Sequence, residues 1–151
     1  MTAKRIEAVL RPASVAVVGA SDTPGSIGEV LCRNLREGGF RGPVFYVNPR
    51  HASIGDKPSY PDVRSLPQTV DVAIIATPPP TLPTVLEHCG ERGVRGAIIV
   101  SAGFREGGEA GAAWERSMLQ VARRYGLRLL GPNSFGVIRT DNGFNASCGA
   151  A

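Results

Sequence analysis

The chain has 151 residues, 42% of them apolar, enough for one folded core and too apolar for a disordered chain. No stretch approaches the ~20 uninterrupted apolar residues of a membrane span, and the opening MTAKRIEAVLRP lacks a signal-peptide core, so a cytoplasmic protein without a membrane partner is expected. Seventeen basic residues against 13 acidic ones give a net charge of +4, which suits an anionic ligand. The arginines form no run and have no aromatics among them, so a nucleic-acid surface is not expected.

The first apolar run, Ser14–Ala20, is too short for a helix, rich in β-branched residues and not alternating with polar ones. It reads as a strand buried on both faces of a parallel sheet. Gly19-Ala-Ser-Asp-Thr-Pro-Gly-Ser-Ile-Gly28 follows it and enters a helix near Ser26. Glycine lets a backbone turn tightly and approach a bulky anion, and the free N–H groups at a helix start face its charge. Dinucleotide folds hold a pyrophosphate at this position. The spacing is not G-x-G-x-x-G, however, because Ser21 stands where the second glycine would be and the loop is longer. A ligand loop and a plain strand-to-helix turn both fit. The candidate contacts are Gly19, Ala20, Ser21, Pro24, Gly25, Ser26, Ile27 and Gly28.

Ile27, Val30, Leu31 and Leu35 mark the apolar face of the helix, and Gly38-Gly39 supplies its stop. Val44–Val47 is the next strand candidate. It runs into Asn48, Pro49, Arg50 and His51, where an NAD site would want an acid for the ribose 2′-hydroxyl. A cation there favours a nucleotide with an extra ribose phosphate, NADP or coenzyme A (CoA). A solvated loop arginine is the plainer alternative. Residues 51–67, with Pro58, Pro61 and Pro67, read as a long loop replacing or shortening a crossover helix, with a short helical turn near Asp62 to Leu66.

Asp71–Thr77 is a further buried strand, ending in Thr77, Pro78, Pro79 and Pro80. Prolines cannot continue a central strand. They make either a stiff wall beside an adenine or pantetheine arm, or the start of the next helix. That helix carries Leu82, Val85, Leu86 and Cys89 on one face and stops near Gly90 or Gly93; His88 on it reads as surface or half-buried. Gly96–Ser101 is another buried strand, followed by Ser101-Ala-Gly-Phe-Arg-Glu-Gly-Gly108, with Ser101, Ala102 and Gly103 as candidate contacts. Trp114, Met118, Val121, Ala122 and Tyr125 form a third helical stripe, read as a core face and closed by Gly126. Arg128–Leu130 is the last strand candidate, followed by Gly131-Pro-Asn-Ser-Phe-Gly136, where Asn133 and Ser134 offer side-chain hydrogen bonds near a thioester and a plain turn fits equally.

Strand and helix alternate except across residues 51–67, which predicts right-handed crossovers and a Rossmann-like, doubly wound, mainly parallel α/β sheet in one domain over residues 1–151. All the candidate contacts then fall at strand carboxyl ends, where open α/β sheets bind ligands. Cys32, Cys89 and Cys148 are odd in number and lack CxxC spacing, so buried or incidental thiols are expected, not a disulfide framework or a metal site.

Five segments in order, VAVVGASDTPGSIG, VFYVNPRH, VAIIATPPP, IIVSAGFREGG and LLGPNSFGVI, closely resemble one family. It is the CoA-binding domain that opens the ADP-forming acyl-CoA synthetases, related to the succinyl-CoA synthetase α subunit and also found at the start of bacterial GNAT-type protein lysine acetyltransferases. The resemblance runs from about Leu10 to Asn145 and implies that CoA or acyl-CoA is the cofactor. Ser21 through Gly28 would hold its phosphates and Arg50 would meet the nucleotide phosphates. Thr77 to Pro79 would flank the nucleotide, and Ser101 to Gly103 and Asn133 would lie along the pantetheine path. Many relatives read GPNC where this chain has Ser134, so no reactive thiol is expected there. In the complete synthetases a later domain carries a phosphorylated histidine, and an ATP-grasp module binds ATP. This chain has no catalytic histidine context, Walker lysine or acid/base pair. We therefore expect a binding module, the N-terminal part of a larger protein with ATP-grasp or GNAT partners, or else a free-standing binding protein. An NADP-binding domain of an oxidoreductase is the competing expectation.

Overall fold

The first apolar run forms a strand, β1, only over its β-branched centre, Val15–Val18. In the computed structural model, which describes residues 3–148, β1 is flanked on one side by β2 (Val44–Val47) and on the other by β5 (Val72–Ile75), both parallel to it. Beyond β5 lie β6 (Gly96–Ile99) and β7 (Arg128–Leu130), again parallel. Beyond β2 the sheet continues through β4 (Lys57–Tyr60), parallel to β2, to an edge strand β3 (Ser53–Ile54), antiparallel to β4. The described residues thus form a seven-stranded sheet of order β3-β4-β2-β1-β5-β6-β7, the Rossmann-like α/β architecture expected from the alternation.

Every side chain of β1, β5 and β6 is buried, because helices cover both faces. On one face, Val15, Val17, Val72, Ile74 and Ile98 meet Leu31 and Leu35 of α2 (Ile27–Glu37). Val9 of α1 (Ala3–Leu10) and Phe144 of the hairpin β8–β9 (Gly136–Arg139, Phe144–Ser147) complete that layer. On the other face, Ala16, Val18, Ile75 and Ile99 meet Leu82 and Leu86 of α3 (Leu82–Arg92) and Met118 of α4 (Gly108–Tyr125). Each fully buried Leu or Ile contributes roughly 1.5–3 kcal/mol relative to exposure. Gly93 and Gly126, with φ +83° and +65°, cap α3 and α4 in the left-handed conformation that glycine adopts without penalty.

Three expectations need correction. The three buried strands are shorter than the apolar runs that mark them, losing up to one residue at the start and two at the end. Residues 51–67 are not merely a loop. They hold the hairpin β3–β4, which takes the place of a covering crossover and widens the sheet, and Pro58 is tolerated there because it pairs only with the edge strand. The helical turn expected near Asp62 is present as a 3₁₀ turn, Val63–Ser65, with Asp62 as its cap. Trp114 is 37% exposed and is not a core residue. The N-terminal half of α4 rests on the loop around Phe104, whose carbonyl oxygen approaches Gly111 so closely that a Cβ would collide with it, and the indole lies outside the sheet-facing core. Finally, sequence reading missed the helix α1, although Ile6, Val9 and Leu10 fall at helical spacing, and the hairpin β8–β9, which becomes evident only in the fold.

Candidate functional site

The loop leaving β1 is held at both ends. The N–H groups of Gly19 and Ala20 donate to the Val47 carbonyl at 3.0 and 3.3 Å, tying its stem to β2. Ser21 Oγ accepts the Thr23 N–H at 3.0 Å, and Ser26 Oγ caps α2 by accepting the Glu29 N–H at 3.2 Å while donating to the Thr23 carbonyl at 2.8 Å. Ser26 is thus the helix start that the sequence marked. Ile27 and Gly28 open the helix, so their N–H groups have no intrahelical carbonyl to bind and remain at the positive end of the helix dipole. Gly19 and Gly25 sit at φ +92° and +81°. A Cβ on Gly25 would meet nothing within 4 Å, so the loop's apex is open to a ligand. Gly28 differs: a Cβ there would collide with the Gly19 carbonyl oxygen. Its service is close packing of helix on loop.

At the end of β2, the half-buried Asn48 donates from Nδ2 to the Ala20 carbonyl at 2.9 Å and accepts the Arg50 N–H on Oδ1 at 2.8 Å. Pro49 and Arg50 are exposed, one strand over from the glycine loop. Asp22, in the glycine loop, accepts the N–H of Gly55 at the tip of the β3–β4 hairpin at 3.1 Å. Sequence reading missed this latch. An acid in an anion-binding loop was the available signal, since it needs a local donor.

The other strand ends close the crescent. Thr77 approaches Gly19, and its hydroxyl lies 2.7 Å from Thr81 Oγ1, which donates to the Pro78 carbonyl at 2.6 Å. Pro78 is extended, but Pro79–Thr81 form a 3₁₀ turn leading into α3, so the proline run is a helix start and not a continuous wall. The buried Ser101 donates to the Thr77 carbonyl at 2.5 Å, and Asn133, at φ +54°, donates its N–H to the Ser101 carbonyl at 2.9 Å. Gly103 faces Pro79, Ala102 is exposed, and Ser134 Oγ accepts the Gly136 N–H at 3.0 Å. The candidate residues after β1, β2, β5, β6 and β7 therefore share one edge of the sheet, linked loop to loop.

The Gly103 N–H, 2.5 Å from Glu106, holds that carboxyl below the usual carboxylate range. A groove of about 360 Å³ runs on the α2 side of the glycine loop, lined among others by Ser21, Asp22, Glu29, Cys32, Tyr46 and Lys57. Burial pushes the Cys32 thiol up to about 11, so it is a packing residue there and not a nucleophile. Among the described residues no group of three or more His, Cys, Asp or Glu is placed to hold a metal ion, and no helix is long and apolar enough to cross a membrane.

This geometry agrees with the likenesses to known proteins. The family model described as "CoA binding domain" matches residues 13–140. The chain is 46% identical over 136 residues to acetate–CoA ligase [ADP-forming] II of Archaeoglobus fulgidus, covering 90% of this chain and 20% of that protein. It is 44% identical over 148 residues to the α subunit of acetate–CoA ligase [ADP-forming] I of Pyrococcus furiosus, covering 95% and 32% respectively. Among solved structures, an acetyl-coenzyme A synthetase of Ca. Korarchaeum cryptofilum, in complex with phosphate and ADP, superposes with a TM-score of 0.89 at 37% identity, over 96% of this chain and 31% of that one. The chain thus spans about a fifth to a third of the length of these relatives. With the five motifs, the doubly wound sheet and the matched family model in agreement, this chain belongs to the CoA-binding-domain family of the ADP-forming acyl-CoA synthetases, and its cofactor is CoA or an acyl-CoA.

Proposed function

We propose that this domain is the module that holds CoA or acyl-CoA within an ADP-forming acyl-CoA ligase, presenting the thiol or thioester to chemistry performed by further domains. The observation that carries this reading is the open glycine loop feeding the amino end of α2, with the basic Arg50 at the neighbouring strand end. In the proposal, the segment from Ser21 to Gly28 holds the pyrophosphate, with the N–H groups of Ile27 and Gly28 at the start of α2 facing it, and Arg50 pairs with the ribose 3′-phosphate. Thr77, Pro78 and Pro79 flank the nucleotide. Ser101, Ala102, Gly103, Asn133 and Ser134 line the path of the pantetheine arm. Bound CoA supplies the nucleophilic thiol, and this chain's own residues bind and orient it. The relatives are three to five times longer than their match to this chain, which supports a parent with further domains. We propose an ATP-grasp module among them; a GNAT module would instead make the parent an acetyltransferase.

A calorimetric titration with CoA, acetyl-CoA, dephospho-CoA, NADP and NAD tests the reading. CoA and acetyl-CoA should bind and NAD should not. Arg50→Glu should weaken CoA more than dephospho-CoA. Tight NADP binding with no response to CoA would instead make this an oxidoreductase's nucleotide domain, and equal loss of both CoA forms would move Arg50 away from the 3′-phosphate.

A further inference from the structure

We infer that Asn48 is a positioning residue that sets the phosphate-gripping loop and Arg50 in register with each other, and thereby controls the preference for a 3′-phosphorylated nucleotide. The inference rests on the CoA reading above. Asn48 lies just past β2, where its backbone N–H donates to the Tyr60 carbonyl at 2.9 Å and fixes it to β4. Its side chain does not reach towards open solvent as a ligand contact would. Instead the amide spans the two ligand-facing segments, with Nδ2 on the Ala20 carbonyl at 2.9 Å and Oδ1 on the Arg50 N–H at 2.8 Å. Only this orientation of the amide satisfies both partners, one an acceptor and the other a donor.

The two bonds share one planar group, so a displacement of either segment is passed to the other. The bond to the Arg50 N–H is an Asx turn, which fixes the direction in which the chain carries the guanidinium. The bond to Ala20 fixes the last peptide before the loop opens. The stem of that loop is held independently, by the Gly19 and Ala20 N–H groups on the Val47 carbonyl. Loss of the Asn48 side chain should therefore release the Ala20 peptide and the Arg50 turn from each other without unpairing β1 from β2. Sequence alone offers Asn48 as one more candidate contact; its two partners change that to a brace.

The test compares the affinities of CoA and dephospho-CoA for the wild-type chain, Asn48→Ala, Asn48→Ser, Arg50→Ala and the double variant Asn48→Ala/Arg50→Ala, with melting temperatures alongside. Asn48→Ala should weaken CoA by roughly two- to 150-fold, the range of coupled neighbouring residues, and should weaken dephospho-CoA less. On the Arg50→Ala background, the same change should cost CoA no more than dephospho-CoA. Serine is long enough to cap the Arg50 N–H but too short to reach Ala20, so Asn48→Ser cuts the link between the two segments and should also lower the preference for CoA over dephospho-CoA. Equal weakening of both ligands by Asn48→Ala, or a cost to CoA unaltered by removal of Arg50, would overturn the brace. If Asn48→Ala does not fold, Asn48→Ser decides: an unchanged preference would overturn it. A wild-type chain that binds neither ligand refutes the CoA reading and the brace together, and does so before any variant is made.

Discussion

Gly28, in the first turn of α2, lies so close beneath the Gly19 carbonyl oxygen that a Cβ at residue 28 would collide with it. Helix and loop are therefore one unit: the amino end of α2 can point at a ligand only because residue 28 has no side chain. The two glycines sit nine positions apart in sequence and serve opposite ends of the same turn.

Gly28→Ala should therefore harm both stability and binding. The carbonyl is backbone and cannot rotate away like a side chain, so α2 or the loop must shift. Overpacking of this kind costs about 1–3 kcal/mol. Urea unfolding should show that loss, and titration should show weakened CoA binding in the fraction that remains folded.

Gly25→Val should separate the two effects. The space around residue 25 is empty, but its φ of +81° is strained for any β-branched residue. A left-handed non-glycine residue costs roughly 1–2 kcal/mol, a cost the core can absorb. The fold should survive with a slightly lower melting temperature, while CoA affinity falls by roughly tenfold or more, about 1.4 kcal/mol. Unchanged affinity would mean that the loop's apex does not approach phosphate.

The three thiols should react in a fixed order. Burial pushes Cys32 up to about 11 and Cys89 up to about 12, so neither supplies thiolate to a reagent at pH 8. Cys148 is only half-buried. Colorimetric thiol titration of the native protein should find Cys148 reacting first, and denaturant should release the other two. Rapid native modification of Cys32 would indicate that the groove beside the glycine loop opens in solution.

Asp141 joins the β8–β9 turn to two arginines. It accepts Arg11 at 2.6 Å and Arg139 at 2.8 Å, and the hydrogen bond from Arg139, reinforced by the nearby cations, holds its carboxyl at about 2. A carboxyl depressed in the folded state stabilises above its unfolded value, 3.8, and that contribution disappears as pH falls through about 2. Asp141→Asn should thus lower the melting temperature slightly at pH 7, by a small amount because the pair is exposed. The difference from wild type should shrink between pH 4 and pH 2. Melting curves at pH 7, 4 and 2 check this, and a difference that persists at pH 2 would assign the effect to something other than charge.

Much of the fold is legible in the chain because it is written locally. Short β-branched runs with no polar alternation, such as Val15–Val18 and Val72–Ile75, can only be strands covered on both faces, and such strands in alternation with amphipathic helices leave few topologies. Ser26 marked the start of α2, and Gly93 and Gly126 ended their helices, through cap and turn chemistry that needs no distant partner. The five loops at the strand ends were likewise legible, because their glycines, prolines and small polar residues break every period around them.

What the tertiary structure alone decided depends on partners far apart in sequence. Lys57-Pro-Ser-Tyr60 has no strand pattern of its own and becomes β4 by pairing with β2, which no local propensity encodes. Trp114 falls on the helical stripe but is exposed and outside both core clusters, so periodicity misplaced it. The candidate site divides in the same way. The sequence by itself determined that a glycine-rich loop leaves β1, that a basic residue follows β2, and that both belong to a CoA-binding family. Only the folded chain brings Asn48 between Ala20 and Arg50, Asp22 onto Gly55, and Gly28 under Gly19, because hydrogen bonds and collisions depend on distances across the sheet and not on distances along the chain.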